Sequence, residues 1–345
     1  MDEQGAAREP GFWGEFLMVG IPGPRLDPVA LGLVRDLKVG GVVLFARNLE
    51  APEQVWQLTR DLQYEAKGAA GRPLFIAVDQ EGGRVQRLQS PFTMIPPARE
   101  LGETATLEEV QRLARVVAGE LALVGVNVNL APVLDVARGP GCPLWDRSYG
   151  ADPERVAALG AAAVRGYLSG GVIPVAKHFP GLGDTTVDSH EELTLAESGS
   201  ATREADLLPF RQAVAAGVPA IMTAHLLVRE WDTRPATLSP VALNTWLRGN
   251  LGFAGVIITD DLEMGGIATR LAVPQAAVEA WSAGADLLLI CTDWQKAWDA
   301  AQLLAREGPA ARTREAAVRL KGLRERLSSP ASSLQAVKEY FRSRG

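Results

Sequence analysis

The hydrophobic residues of this chain fall into short continuous runs, and most of these runs follow a glycine. Four of the runs read GVVLF, GVIPVA, GVPAIMT and GVIIT. Glycine suits the left-handed residue that ends a helix, and the segments before these glycines carry apolar residues at helical spacing. Runs of Val, Ile, Leu and Ala without polar alternation are typical of strands buried on both faces of a parallel sheet. The pattern therefore predicts helices that alternate with buried parallel strands.

Eight such strands are predicted along the chain. The remaining four lie in GEFLMVG, PLFIAVD, GVNVNLAPVLD and GADLLLIC. Eight alternating strands and helices in 345 residues predict an α/β fold of the (β/α)8 barrel type. A doubly wound open sheet is the alternative, because the number of strands alone does not show closure.

The chain carries no Ser/Gly/Pro-rich linker that would divide it into domains. We therefore expect a single domain over residues 1–345. Its barrel is expected at about 14–300, followed by a helical C-terminal tail at about 301–345. Within the tail, a break between two helices is predicted at Ser329-Pro330.

The composition argues against several classes of protein. The 35 Lys and Arg and the 41 Asp and Glu are well mixed and give a net charge of −6, so no nucleic-acid partner is expected. No apolar run reaches the length of a membrane span, and the N-terminus lacks a signal-peptide profile. Two cysteines give no disulfide framework. We expect a cytoplasmic protein that is a monomer or a weak homo-oligomer.

Polar side chains follow the predicted strands at their carboxyl ends. In chain order these residues are Asp79, Asp135, Lys177, His178, His225, Asp260 and Asp261. In parallel α/β folds the catalytic residues lie at the carboxyl ends of the strands. His190, the third histidine of the chain, lies just after one of these strand ends. Helix capping would explain one or two of these aspartates, but not a lysine and every histidine together. The sequence therefore favours one shared site.

The loop KHFPGLGDTTVDSH contains Asp188 and His190, which are separated by one residue. In an extended segment both side chains point to the same side. A carboxylate beside an imidazole orients the ring and raises its pKa, and such a pair donates and accepts protons in catalysis. An isolated pair of this kind would more often only tie the loop together. Gly181 and Gly183 favour the functional interpretation, since they allow the loop to bend and move.

A second motif, GVIITDDLEMGGI, brings two adjacent carboxylates to the end of a buried strand. Asp261 is the better candidate to cap the following helix, which leaves Asp260 facing the pocket. A carboxylate there is a candidate metal ligand, base or nucleophile.

A third motif, AVDQEGGRVQRL, places Asp79 close to Arg84 and Arg87. An aspartate that accepts two sugar hydroxyls beside an arginine is a common way to hold a carbohydrate. The motif alone is equally compatible with a surface loop.

Taken together, five motifs resemble glycoside hydrolase family 3. They are KHFPGLGDTTVDSH, VDQEGGRVQRL, NLAPVLDV, WDRSYG and ITDDLEMGG, and they occur in the family's order. The chain is most similar to the single-domain bacterial β-N-acetylglucosaminidases of peptidoglycan recycling. No sequence of the second, sandwich domain of many β-glucosidases of the family is present, which favours this branch.

The resemblance implies a role for each matching residue. Asp260 would be the nucleophile, and His190 with Asp188 the acid/base. Sugar-binding positions would be Asp79, Arg87, Arg147, Lys177 and His178. The activity implied is retaining hydrolysis of terminal β-linked N-acetylglucosamine through a covalent glycosyl-aspartate, with a small carbohydrate as partner and with neither metal nor organic cofactor.

One residue departs from the family pattern, which commonly reads PGHG where this chain has PGLG. We expect Leu182 to remove a polar contact of the loop and to alter loop closure and substrate preference, while the Asp188–His190 pair stays intact.

Other functions remain open at the level of sequence. The alternatives are a phosphorylase, because an uncharged acid/base repels phosphate less than a carboxylate would, or a related β-glucosidase or β-xylosidase. A metal-dependent hydrolase would need clustered ligands, and a sugar-binding protein without activity would be expected to lose its nucleophile first. His225 would either line the pocket or lie beneath it, and Trp145 would stack on a sugar or, more often, pack.

Overall fold

Parallel strands form a closed barrel in the computed structural model, which describes residues 9–183, 185, 193–196, 200–327 and 332–344. Within these residues the barrel strands are β1 Leu17–Gly20, β2 Gly41–Leu44, β3 Phe75–Val78, β4 Val128–Asn129, β5 Ile173–Phe179, β6 Ala220–Thr223, β7 Val256–Asp261 and β8 Leu287–Ile290. Each strand pairs with its neighbours in sequence, and β8 closes on β1 through Leu17 and Leu288. The predicted barrel is confirmed, and the open sheet is excluded.

Helices surround the barrel. The α-helices are Pro10–Trp13, Pro28–Leu31, Pro52–Ala70, Ala98–Thr104, Leu107–Leu123, Pro153–Ser169, Ser200–Ala215, Gly265–Ala268, Val273–Ala283, Trp294–Glu307, Thr313–Arg324 and Leu334–Arg342. Short 3-10 helices lie at Gly14–Phe16, Ala46–Asn48, Ala236–Leu238 and Ala310–Arg312, and π-helical segments at Gly32–Asp36 and Val241–Asn250. Among the described helices, none combines the length and the apolar character that a bilayer span requires.

Local sequence signals fix several helix ends. Thr106 accepts a hydrogen bond from the Glu109 amide, and the Glu109 carboxylate accepts one from the Thr106 amide, which is a capping box. Asp152 caps the helix that begins at Pro153. Gly71 ends helix Pro52–Ala70 with a φ of 67°, a conformation that favours glycine.

The barrel strands are buried on both faces, as their apolar runs predict. Val42, Ile76, Ile221 and Ile257 are all fully buried. These side chains fill the barrel interior and the interface between the strands and the helices. The polar residues of the site therefore lie at the strand ends.

The C-terminal tail is helical, as predicted, and its predicted break at Ser329-Pro330 lies outside the described residues. Helix Thr313–Arg324 covers the amino-terminal end of the barrel, where Arg319 binds the fully buried Asp286. The opposite, carboxyl-terminal end carries the predicted site residues. There the hairpin Gln80–Gly82/Val85–Gln86 follows β3, and Thr194–Leu195 pairs with Leu226–Leu227.

Candidate active site

The site lies at the carboxyl end of the barrel, where the described part of the predicted set comes together. Asp79 follows β3, Arg147 lies in the loop after β4, Lys177 and His178 belong to β5, and Asp260 belongs to β7. Arg87 joins them from the hairpin after β3, with its Nη2 atom 3.8 Å from Asp79 Oδ2. Asp188 and His190 lie outside the described residues.

Lys177 is the central cation of the site. Its side chain is only 3% exposed, and its Nζ donates to Asp79 Oδ1 at 2.7 Å and contacts Glu81 Oε1 at 2.6 Å. Burial alone would lower the pKa of Lys177, but Asp79 and Glu81 raise it above its ordinary value. The ammonium is therefore charged at neutral pH, and the described residues leave its third N–H for a ligand.

Glu81 holds the two cations of the site together. Arg147 donates to it through Nε and Nη2, both at 2.8 Å, in a bidentate pair. Burial alone would raise the pKa of Glu81, but Lys177 and Arg147 hold it far below its ordinary range. Sequence reasoning missed Glu81, and its position two residues after Asp79 on the same hairpin was the available signal. Arg147 is thus paired with Glu81.

His178 is oriented by Asp135, which lies in the loop that follows β4. Its Nδ1 lies 2.7 Å from Asp135 Oδ2, and the same carboxylate accepts hydrogen bonds from the His178 and Leu182 amides. Asp135 is completely buried. A carboxylate only accepts, so Nδ1 carries a proton, and Nε2 is the ring nitrogen left for a ligand.

Asp260 lies half-buried at the end of β7, and its Oδ1 accepts a hydrogen bond from the Asp261 amide at 2.8 Å. Burial would raise the pKa of Asp260, but electrostatic attraction to the nearby His178 and His225 and the hydrogen bond from the Asp261 N–H lower it below its ordinary value. The side chain is thus an ionised carboxylate at neutral pH. This is the protonation state that a nucleophile needs.

Asp261 points away from Asp260. Its Oδ1 accepts hydrogen bonds from the amides of Glu263 and Cys291, at 3.1 Å and 3.3 Å. The predicted cap is wrong, because the next helix begins after Met264 without a side-chain cap. Asp261 instead ties the loop after β7 to the end of β8. Burial and the nearby Glu263 and Asp260 carboxylates raise the pKa of Asp261 to about 7.

His225 lies beneath the site and not in its wall. The residue is fully buried, its Nε2 donates to the Asp261 carbonyl at 2.9 Å, and its Nδ1 lies 2.9 Å from Thr237 Oγ1. The sequence allowed His225 either to line the pocket or to lie beneath it, and the structure places it beneath.

Leu182 fills an apolar cluster and does not leave a gap on a polar loop. It packs with Ala137, Cys142, Leu144, Ala224, Leu226 and Val228, with Trp145 and Trp231 at the edge. The flanking glycines allow close backbone contacts, since a Cβ at Gly183 would lie 1.8 Å from the Val136 carbonyl oxygen. Trp145 packs below the Arg99 guanidinium, 3.4 Å from the ring centroid.

Residues 14–323 match the model of the glycosyl hydrolase family 3 N-terminal domain. The chain belongs to glycosyl hydrolase family 3. The resemblance seen in the motifs is thereby confirmed, and with it the class of enzyme, a glycoside hydrolase.

Relatives within family 3 match over most of the chain. A β-hexosaminidase of Alkalilimnicola ehrlichii is 40% identical over 283 residues, which are 80% of this chain and 80% of that protein. The structure of a family 3 β-N-acetylglucosaminidase from Paenibacillus sp. FPU-7 is 36% identical, with a TM-score of 0.89 over 99% of this chain and 68% of that one. NagZ from Neisseria gonorrhoeae, solved with N-trifluoroacetyl-D-glucosamine, is 32% identical, with a TM-score of 0.82 over 95% of each chain.

The family 3 site of this chain is thus built from carboxylates, a lysine, arginines and a histidine. In the part of the chain that the structure describes, no group of three or more His, Cys, Asp or Glu residues is placed to hold a metal ion. The arrangement suits the binding of a polyhydroxylated ligand, because hydrogen-bond donors and acceptors lie at the same end of the barrel as the Asp260 carboxylate.

Proposed function

We propose that this chain is a retaining, exo-acting β-N-acetylglucosaminidase that releases terminal β-linked N-acetylglucosamine. The observation that carries the proposal is the ionised Asp260 carboxylate at the barrel rim, beside a polar cradle made of Asp79, Lys177 and His178. The similarity to β-hexosaminidases and to family 3 β-N-acetylglucosaminidases supports the choice of sugar.

The cradle supplies both kinds of hydrogen-bonding group that a pyranose needs. Asp79 accepts from ring hydroxyls, and Lys177 donates its remaining N–H. His178 contributes Nε2, since Asp135 occupies its Nδ1. Arg147 and Arg87 extend the cradle on the side of the hairpin. Paired charges hold these side chains in place before the sugar arrives, so less ordering is required on binding.

The reaction proceeds in two steps with retention at the anomeric carbon. Asp260 attacks this carbon, the glycosidic C–O bond breaks, and His190 gives its proton to the departing oxygen. In the second step His190 takes a proton from water, whose oxygen displaces Asp260 from the sugar. Asp188 orients the imidazole and stabilises its charged form. The roles of Asp188 and His190 rest on the DSH motif.

A histidine in this role replaces one of the two carboxylates that most glycosidases use. Its ordinary pKa of about 6.5 supplies a proton donor near neutral pH without a buried carboxyl group.

The test is a panel of aryl β-glycosides with three different sugars. We expect turnover of the N-acetylglucosaminide to exceed that of the glucoside and the xyloside by at least about 100-fold, and Asp260→Asn to abolish it. Preference for glucoside or xyloside would contradict the choice of sugar. Full activity of Asp260→Asn would contradict the mechanism. Release of the sugar 1-phosphate in phosphate buffer would identify a phosphorylase instead.

The acid/base has its own test within the same panel. His190→Ala should slow substrates with poor leaving groups far more than activated phenyl glycosides, because only the former need protonation of the leaving oxygen. Equal losses for both kinds of substrate would show that His190 is not the acid.

We further propose that the natural substrates are peptidoglycan fragments and that the enzyme works in the cytoplasm. The motif resemblance supports both statements. Turnover of N-acetylglucosaminyl muropeptides at a higher kcat/KM than chitobiose would support the substrate, and the reverse order would contradict it.

A further inference from the structure

Helix Leu334–Arg342 lies beyond residues 14–323, which match the family model, yet its Phe341 contacts Phe92, in the segment that directly follows the sugar-binding side chains. We propose that this C-terminal helix positions the substrate hairpin, defined as residues 79–88, for binding the sugar. The inference rests on the proposed function, since it assumes that Asp79, Arg87 and the cations bound to Glu81 hold the substrate.

The helix docks through apolar contacts on the outside of the barrel. Val337 and Phe341 are buried, and the Phe341 ring lies 4.5 Å from that of Phe92, between ring centroids. Trp56 Nε1 donates to the Ser332 carbonyl at 2.6 Å, which fixes the entry of the helix. The contact with Phe92 is the important one, because Phe92 belongs to the segment that leaves the substrate hairpin.

A buried carboxylate connects the helix to this segment. Glu120 is only 2% exposed, and its oxygens accept from the Thr93 amide at 2.7 Å and from Thr93 Oγ1 at 2.6 Å. Tyr340 donates to the same carboxylate from the C-terminal helix, at 3.2 Å. Arg344 forms an ion pair with the Glu120 carboxylate and also donates to Thr93 Oγ1, at 2.8 Å. Without Arg344 the buried charge of Glu120 loses its cation.

Hydrogen bonds continue from Thr93 into the substrate hairpin. Gln86 Nε2 donates to the Thr93 carbonyl at 3.2 Å, and Gln86 Oε1 accepts from the Ile95 amide at 2.9 Å. The Gly83 amide donates to the Ile95 carbonyl at 2.9 Å. Gln86 is therefore the buried link between the outer segment and the strand that precedes Arg87.

The hairpin is thus held from two sides. Lys177 and Arg147 hold it from inside the barrel through Asp79 and Glu81. The C-terminal helix and Arg344, two residues beyond its end, hold it from outside, through Glu120, Thr93 and Gln86. Arg344 and Tyr340 are positioning residues in this arrangement, because they act on the site through the hairpin.

The experiment compares Arg344→Ala and Tyr340→Phe with Lys338→Ala, a change at an exposed cation of the C-terminal helix. Two quantities are measured on the full chain: KM and kcat for the aryl N-acetylglucosaminide, and hydrogen exchange at the amides of Leu88 and Ile95. We expect Arg344→Ala to raise KM roughly tenfold with kcat nearly unchanged, since the hairpin contributes uniform binding. Hydrogen exchange at both amides should accelerate in Arg344→Ala. Tyr340→Phe should change KM and exchange less, and Arg344→Lys should recover part of the affinity and of the amide protection.

Unchanged KM and unchanged amide exchange in Arg344→Ala would overturn the inference, even if its melting temperature fell. An equal change in Lys338→Ala would overturn it as well. Failure of the proposed function is distinguishable, because the unaltered enzyme would then show no preference for N-acetylglucosaminide while Arg344→Ala still accelerated amide exchange in the hairpin.

Discussion

At the scale of single residues, the site depends on charges whose partners are far apart in sequence. Glu81 and Arg147 are 66 positions apart, and Asp135 and His178 are 43 apart. Each of these buried carboxylates sets the position of a group that we propose binds the sugar. The carboxylates themselves are enclosed, so their effect on the substrate is indirect.

Glu81→Gln tests this arrangement of charges. The change keeps the shape of the side chain but removes the negative charge between Lys177 and Arg147. We expect kcat/KM to fall about 100-fold and stability to fall by about 3 kcal/mol, because two buried cations lose their common partner. Steady-state kinetics and thermal unfolding measure the two effects. A variant with native KM would show that Glu81 does not position the sugar-binding cations.

Asp261 gives a prediction about pH. Its pKa is raised to about 7 in the folded state, above the ordinary value of about 3.9 in the unfolded chain. The folded state therefore binds the proton more tightly, and this stabilisation is present at low pH and is lost as pH rises through 7. Asp261→Asn removes the titration. We therefore expect the variant to gain stability relative to the parent between about pH 5 and pH 8.

Melting temperatures measured at both ends of that range check the prediction for Asp261. Parallel pH profiles for the parent and for Asp261→Asn would contradict it. Glu81 serves as a built-in comparison of opposite sign, because its pKa is lowered on folding and its contribution is therefore lost toward acid pH.

At the scale of elements, the sequence predicted what depends on local pattern. Buried runs such as those around Val42 and Ile257 are readable because strands of a barrel are apolar on both faces. The positions of Asp79, Lys177 and Asp260 at strand ends follow from the same pattern. These residues converge because the carboxyl ends of parallel strands meet at one end of the barrel.

The remaining features depend on distances between elements, which no local pattern contains. Leu182 looked like a lost polar contact, but the loops after β4 and β6 surround it with apolar side chains. Asp261 looked like a helix cap, but its carboxylate accepts a hydrogen bond from the amide of Cys291, just after β8. Glu81 was overlooked because its role depends on contact with Lys177 of β5, and the sequence does not show that β5 lies next to the hairpin.

At the scale of the whole molecule, the two ends of the barrel differ in role: one carries the candidate site, and the other contributes to stability. The carboxyl end holds the site, while the amino end is closed by an ion cluster around the fully buried Asp286. Arg248 contacts this carboxylate at 2.7 Å, Arg319 at 2.9 Å and Arg312 at 3.2 Å. Burial and the neighbouring arginines lower the pKa of Arg248 to about 10, against the attraction of Asp286. The cluster joins β8 to the helix that covers the barrel.

Asp286→Asn separates these two roles. The change leaves Arg248, Arg312 and Arg319 close together without their shared counter-charge, so we expect stability to fall by about 3–5 kcal/mol. Below the melting temperature, KM for the aryl N-acetylglucosaminide should stay within about twofold of the parent, because the cluster lies at the end of the barrel opposite to the cradle. Thermal unfolding and kinetics at a low temperature measure the two effects. A large rise in KM for folded Asp286→Asn would show that the two ends of the barrel are coupled. In that case an effect of Arg344→Ala on KM would no longer be specific evidence that the C-terminal helix acts on the substrate hairpin.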